Sequence, residues 1–547
     1  MAQFTQNALK ILGERYFYKY ESGQEDAHAF FDRISMGKPE YREMMDGLDF
    51  LPNSPTLFNI GIPGAGTLSA CFKFDVEDTL LDGPNSIMAV GVKSAGVQKY
   101  GGGVGYALSA VRPANASIST THGHAMGPVA LLHYYNSVAA MITQGGKRAG
   151  AQMGILSCDH PDIQEFIHCK DVDPQALSTF NISVACTDEF MSRAKDLTSP
   201  EGKLLTEMAE SAWRTGDPGV YFIDNAERGN PTPWLGRLTG TNPCGEVPLL
   251  NNEPCNLGSI NLGNFVSDGE IDWKRLAYTA RLATYYLDDV LEINTFPSKE
   301  IDEANRLTRK LGLGVCGFAD MLALLGIHYD TDEAVALGRT VMAHISAWAD
   351  NASVRMGFDR GVAPAFKGHY ALYRNATRTC IAPTGTIAIL MGASSGIEPH
   401  FALEWERRLG TGDVIQEHVP VLDRLNGFVP HTAMEIAPEW HVKHQAAFQA
   451  HTDLAVSKTI NLPNEATAEQ IRDIYMQMWE RGTKGGTVYR DGCREVQVLT
   501  TTVNYSDGVT QVAETHFNEC PSCGAGVKHE EACMSCIANC GWEACST

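Results

Sequence analysis

The first fifty positions carry apolar groups at helical spacings: Ala8, Leu9, Ile11 and Leu12 in one stretch, Phe30, Phe31 and Ile34 in another. Residues three and four apart share a helix face, so this region is predicted to be helical. After it the texture changes. Leu51-Pro52-Asn53-Ser54-Pro55-Thr56 is a turn-rich loop, and Leu68-Ser69-Ala70-Cys71-Phe72-Lys73-Phe74 reads as a short strand. From there to about residue 400, short apolar runs punctuated by glycine alternate with helical segments such as 273–292 and 331–356. Strands and helices in alternation predict an α/β fold.

Length and composition narrow this picture. The 547 residues exceed one ordinary domain, although an α/β barrel can absorb much of that length as a single unit. A hydrophobic content of 44% with 20% charged residues suits a globular enzyme with a large core. The net charge of −22 argues against broad attraction to nucleic acid or anionic membrane, because such binding neutralises phosphates with Lys and Arg. The N-terminus lacks the basic and apolar segments of a secretory signal, and no run of about 18 apolar residues could span a bilayer. The expected location is the cytoplasm, where fifteen cysteines point to thiol chemistry and metal binding rather than structural disulfides.

The cysteines fall into distinctive contexts. Asn242-Pro243-Cys244-Gly245-Glu246 places a thiol two residues from both a carboxamide and a carboxylate, flanked by two residues that break regular structure. Glu253-Pro254-Cys255 follows, and Cys71 lies far upstream. In the tail, Cys520-x2-Cys523 and Cys533-x2-Cys536 have metal-knuckle spacing suited to a tetrathiolate zinc ribbon. Cys540 and Cys545 are surplus to four ligands, and paired thiols near a chain end suit thiol-disulfide exchange. Asn504 to Glu519 has the composition of a linker, whose sixteen residues would reach on the order of 50 Å when extended. Cys158, Cys169, Cys186, Cys316, Cys380 and Cys493 are read as small buried hydrophobes.

Two glycine-rich segments need separate treatment. Gly101-Gly102-Gly103-Val104-Gly105 lacks G-x-G-x-x-G spacing, so it is not read as a dinucleotide fingerprint. Gln144 to Gly150 sets paired glycines beside Lys147 and Arg148, a loop suited to sensing an anion. Pro383-Thr384-Gly385-Thr386-Ile387, followed by Ser394-Ser395-Gly396-Ile397-Glu398-Pro399, offers hydroxyls and open backbone amides that could seat a phosphate without many cations.

Together these segments resemble the catalytic subunit of ribonucleotide reductase, from about residue 5 to the C-terminus. Within the family the chain is most similar to the adenosylcobalamin-dependent class II enzymes, through Ala455 to Pro463, Thr487 to Gly492 and the cysteine tail. The resemblance implies a ten-stranded α/β barrel of two five-stranded halves around a central finger loop. It further implies a helical N-terminal region over residues 1–50, a barrel over 51–503, a linker over 504–519 and a small zinc-ribbon-like tail over 520–547. With only about 50 residues ahead of Leu51, the N-terminal nucleotide-binding cone of many relatives is expected to be absent.

Roles follow from the same resemblance. Cys244 would carry a thiyl radical that abstracts the ribose 3′ hydrogen, Glu246 would take the 3′-hydroxyl proton, and Asn242 would hold the substrate. Cys71 and Cys255 would supply a proton and two electrons and end as a disulfide, which Cys540 and Cys545 would reduce before re-reduction by a thioredoxin- or glutaredoxin-like protein. Ser54, Ala70 and Pro383, Thr384, Gly385, Thr386 and Ile387 would contact the ribonucleotide substrate. Asp78, Lys147 and Arg148 would sense a deoxynucleotide or ATP effector, with homodimerisation compatible with that control. The expected cofactors are adenosylcobalamin and a tail Zn2+, and the diphosphate is the expected substrate. Val488-Tyr489 stands where relatives fed by a metal-containing radical-generating subunit carry two tyrosines, which favours cobalamin over such a partner. A zinc-ribbon binding protein is the competing class, opposed by the acidic charge.

Overall fold

The computed structural model describes residues 4–20, 23–119, 122–142, 150–171, 177–404 and 418–493 with side chains, and 405–408 and 414–417 as backbone. Beyond these it describes the backbone of five short strands: Thr500–Val503, Thr510–Ala513, Val527–Glu530, Cys533–Cys536 and Glu543–Cys545.

Five strands run parallel in spatial order Cys71–Asp75, Gly103–Ala107, Gln152–Ser157, Phe180–Cys186 and Gly219–Phe222. A second parallel set begins with Pro254–Asn261 and Leu311–Cys316. It continues through a bridging segment, where Leu313 pairs with Thr379 and Ile381 with Val456, and ends with Thr459–Leu462 and Gly485–Arg490. The halves meet antiparallel at both seams, Cys71 opposite Cys255 and Val220 opposite Gly486. The circuit therefore closes as the expected barrel of two five-stranded halves. The middle strand of the second half is carried by isolated bridges rather than a regular ladder.

Strand composition follows from position. A parallel strand covered on both faces has no solvent side, so its apolar run is nearly continuous; Phe180–Cys186 is buried at every residue except Asn181. The helices expected at 273–292 and 331–356 are Trp273–Ile293 and Asp332–Arg360, begun by side-chain caps from Asp272 and Thr331.

The N-terminal region is helical at Gln6–Ile11, Ala27–Ile34 and Pro39–Asp46, and adds a small ladder of Lys19–Tyr20 with Gly23–Gln24 that the apolar spacing did not forecast. It shares one core with the second half of the barrel. Tyr286 donates to the Ile34 carbonyl at 2.9 Å, and Asp289 accepts from Tyr41 at 2.6 Å.

Downstream, Thr510–Ala513 pairs with Thr500–Val503, so part of the expected 504–519 linker forms a hairpin. The tail strands form one antiparallel ladder in which Cys533 lies across from Cys545. Cys520, Cys523 and Cys540 lie outside the described residues. Among the described residues, no helix is long and apolar enough to cross a membrane.

Candidate active site

The site is built around a hairpin that enters the barrel. Gly240–Thr241 pairs antiparallel with Pro248–Leu249, and the six residues between them form its tip. Asn242-Pro243-Cys244-Gly245 is a tight turn closed by Gly245 N–H donating to the Asn242 carbonyl at 3.2 Å. The residues suit it: Asn opens β-turns, Pro presets φ at the second position, and Gly is favoured at the fourth. Gly245 has φ +82°, a conformation other residues adopt with strain. The turn leaves Cys244 exposed at its apex while Asn242 and Glu246 on either side are buried.

The barrel wall makes room for this hairpin. A Cβ on Gly105 would sit 1.8 Å from the Thr241 carbonyl oxygen, and one on Gly103 would sit 2.8 Å from the Pro243 ring. The glycine cluster that failed as a nucleotide fingerprint is thus a clearance for backbone passage. Asn181 donates to the Pro243 carbonyl at 3.1 Å, and Ala455 N–H to the Glu246 carbonyl at 2.8 Å, so both halves grip the tip.

The candidate catalytic residues converge. Asn242 accepts from Val247 N–H at 2.9 Å through its side-chain oxygen and turns its amide toward Cys71 Sγ at 3.1 Å. Glu246 Oε1 lies 3.8 Å from the same sulfur. Cys71 and Cys255 are direct cross-strand partners at the antiparallel seam. Such partners have Cα atoms roughly 4.5–5.5 Å apart, inside the roughly 4.4–6.8 Å range a disulfide needs. In the reduced state, burial followed by the Glu246 carboxylate pushes the Cys71 thiol well up, and burial also raises Cys255. Both sulfurs therefore stay protonated at neutral pH, as proton donors must.

A buried ion pair holds the Cys255 strand at its start. Lys310 Nζ and Glu253 Oε2 lie 2.6 Å apart, and Glu253 also accepts from Thr308 at 2.7 Å and from Leu250 N–H at 2.7 Å. Satisfying a buried carboxylate from several donors is what makes its burial tolerable.

Cys380 is buried as expected, and its neighbours are the candidate redox thiols. It packs in the same apolar cluster as Cys71 and Cys255, with its sulfur 2.6 Å from where a Gly312 Cβ would be. Burial, then Cys255 and Glu246, push its thiol well up. No local motif marks it, because its proximity arises from strand order.

The segment after Cys380 leads directly to the expected phosphate loop. Ala382 packs against the Cys71 cluster, and Thr384 stands at φ +62°, a strained conformation for a β-branched residue, held by Gly396 N–H donating to its hydroxyl at 2.7 Å. Gly385 is exposed with nothing within 4 Å of a built Cβ, Pro383 and Thr386 are half-buried, and Ile387 is buried. Behind this loop, Glu398 is ion-paired with the fully buried Lys458 and accepts from Thr459 N–H at 2.8 Å; Lys458 also meets His441 Nδ1 at 2.8 Å. The Ser-Lys-Thr stretch around Lys458 carried the family resemblance, yet its role as anchor of the Glu398 segment required the fold.

The other described residues expected at the substrate and effector sites have protein partners here. Ser54 Oγ is 2.8 Å from Tyr16 Oη, while its neighbour Asn53 donates to Asn256 at 2.8 Å and so ties this turn to the Cys255 strand. The Ala70 carbonyl accepts from Gly103 N–H at 2.7 Å. Asp78 is paired with Arg112, Oδ2 to Nε at 2.7 Å. Lys147 and Arg148 lie outside the described residues.

Comparison with known proteins adds an independent line. The family model for the ribonucleotide reductase barrel domain matches residues 69–201, 198–373, 372–429 and 427–489. The chain is 40% identical over 559 residues to a protein of Mycobacterium tuberculosis named vitamin B12-dependent ribonucleoside-diphosphate reductase, covering 90% of this chain and 80% of that one. A protein of the same name from Thermoplasma acidophilum is 42% identical over 510 residues, covering 84% of this chain and 66% of the relative. Among solved structures, the Actinobacillus ureae class Id ribonucleotide reductase alpha subunit superposes with a TM-score of 0.76 at 20% identity, covering 89% of this chain and 97% of that one, a likeness of fold.

Proposed function

The chain belongs to the ribonucleotide reductase family, and from that premise we propose that it reduces ribonucleoside diphosphates to 2′-deoxyribonucleoside diphosphates with adenosylcobalamin as radical source. The observation that carries the reading is the meeting of Asn242 and Glu246 with Cys71, itself directly across from Cys255. The names of the Mycobacterium and Thermoplasma relatives support both the diphosphate and the cobalamin.

The chemistry needs one oxidisable thiol open to a radical source and two protonated thiols that can become a disulfide. Cys244, exposed at the hairpin apex above buried neighbours, fits the first need. Adenosylcobalamin, when bound, supplies the radical that oxidises a thiol. Cys244 then takes the 3′ hydrogen of the ribose, and Glu246 takes the 3′-hydroxyl proton. Asn242, fixed by Val247, orients the substrate through its amide. Cys71 protonates the departing 2′-hydroxyl, which leaves as water, and Cys71 with Cys255 contributes two electrons as their sulfurs join. Cys244 recovers its hydrogen at the end of the cycle.

Substrate phosphates lie against Pro383 to Ile387, whose backbone is open at Gly385, with Ser54 and Ala70 at the nucleoside end. Asp78, Lys147 and Arg148 serve a nucleotide effector, for which Asp78 exchanges Arg112 for a ribose. The tail holds Zn2+ through Cys520, Cys523, Cys533 and Cys536 and shuttles electrons through Cys540 and Cys545 from a thioredoxin- or glutaredoxin-like donor in the cytoplasm. Exposed Leu80, Leu81, Met88, Val92 and Met141 on and beside helices Ile87–Gln98 and Gly127–Met141 support a homodimer through that face.

The test is an assay of the purified chain alone with adenosylcobalamin, a small dithiol and a ribonucleoside diphosphate. Deoxynucleotide formation is expected. Activity that arises only after a metal-loaded partner subunit is added would overturn the cobalamin assignment.

A further inference from the structure

His328, Asp330 and His431, all partly exposed, bring two imidazoles and a carboxylate together, with one donor atom from each within 4.8 Å of the others. His431 Nδ1 and Asp330 Oδ1 are 2.9 Å apart, and the two imidazole rings stack at 4.1 Å between centroids. A hydrogen-bonded His–Asp pair with a stacked ring would account for most of this arrangement. It does not account for Nδ1 of His328, which is buried with no hydrogen-bond partner among the described residues. A buried imidazole nitrogen without a partner costs free energy unless something occupies it.

We propose that His328, Asp330 and His431 form a binding site for a divalent transition-metal ion of the zinc type. Two neutral imidazoles and a carboxylate are a borderline donor set that suits Zn2+, with water completing the shell. Bonds to such an ion are about 2.0–2.2 Å long, so the donors must draw together by roughly an ångström. Rotation of the imidazoles about χ2, a soft torsion in histidine, supplies that movement. Asp330 and His431 side chains are each partly exposed, which gives an entry path.

The placement assigns the ion a job. His328 and Asp330 flank Tyr329, whose hydroxyl donates to the Ile397 carbonyl at 2.8 Å. His431 is two residues before Ala433, whose N–H donates to the His400 carbonyl at 2.8 Å. The two ligand-bearing loops thus clasp residues 397–400 from both sides, next to Glu398 and the Gly396–Thr384 hydrogen bond. A bound metal would lock that clasp and steady the substrate loop. Metal binding here does not depend on the reading of the active site, and the test below uses no turnover.

The experiment titrates Co2+ into the full-length chain carrying Cys520, Cys523, Cys533, Cys536, Cys540 and Cys545→Ser, so that the tail contributes no thiolate ligands, and repeats it with Zn2+ in competition. One equivalent is expected, with visible bands of nitrogen and oxygen ligation, no sulfur-to-cobalt charge transfer, and displacement by Zn2+. Thermal unfolding should shift upward with either metal. His328→Gln and His431→Gln, which can still fold through their exposed sides, should each weaken binding at least 10-fold and remove the thermal shift. Absence of stoichiometric binding at micromolar Co2+, or binding unchanged by both substitutions, would overturn the proposal.

Discussion

Gly105→Ala isolates the passage of the hairpin through the barrel, because it changes one methyl group on the wall and no candidate catalytic residue. The added Cβ would stand 1.8 Å from the Thr241 oxygen and 2.9 Å from its carbonyl carbon. Carbon and carbonyl oxygen make contact at about 3.3 Å, so the hairpin must retreat by about 1.5 Å immediately before Asn242. Both obstructing atoms are backbone, which cannot swing aside as a flexible side chain would. Overpacking of this kind costs about 1–3 kcal/mol of stability, small enough for the barrel to remain folded. Misplacing a reacting group by about 1 Å costs on the order of 100-fold in rate. The expected result is a fall in kcat of at least about 100-fold for deoxynucleotide formation with a small dithiol, at saturating nucleotide, with a native circular dichroism spectrum. Gly13→Ala is the control, since nothing lies within 4 Å of its Cβ, and it should leave kcat unchanged. A folded Gly105→Ala enzyme with kcat within threefold of the parent would refute the claim that Thr241 lies against this strand.

Three other outcomes can be checked. Substrate turnover without reductant should leave a Cys71–Cys255 disulfide recoverable by peptide mass spectrometry; a Cys255–Cys380 linkage in its place would show that the third buried thiol, not Cys71, is the partner. Cys545→Ser should retain activity with a small dithiol and lose it with thioredoxin, and equal loss under both would remove the shuttle role. Burial, the leading cause, lowers the His444 pKa from 6.5 to about 3, so the folded chain holds this ring neutral while the unfolded chain protonates it below pH 6.5. Its contribution to stability is therefore present above pH 6.5 and lost as pH falls toward 3, reaching a loss of about 2 kcal/mol at pH 5. Urea midpoints at pH 7.5 and 5 should converge in His444→Gln relative to the parent, and parallel pH slopes would contradict the assignment.

Much of the protein was legible in linear order because its signals are local. The helices at Trp273–Ile293 and Asp332–Arg360 follow from apolar period and caps, and the Asn-Pro-Cys-Gly turn follows from the dihedral preferences of its own residues. The tail pairs Cys520/Cys523 and Cys533/Cys536 declare a metal-knuckle spacing in the chain alone. The Lys19–Gln24 ladder and the Thr510–Ala513 strand were missed because two- to four-residue strands have no periodicity to read.

What the chain determined by itself was the inventory of reactive groups and the local geometry that presents them: a thiol on a tight turn between a carboxamide and a carboxylate, and further thiols upstream and downstream. Which of these groups meet was decided only by tertiary structure. Cys71 lies opposite Cys255, 184 positions further along the chain, because an antiparallel seam joins two parallel half-barrels in register. Cys380 joins them through the parallel bridging segment of the second half, and Gly105 faces Thr241 where the hairpin passes the wall of the first. Strand order and register are set by burying whole faces of many strands at once, a cooperative choice that no single segment encodes.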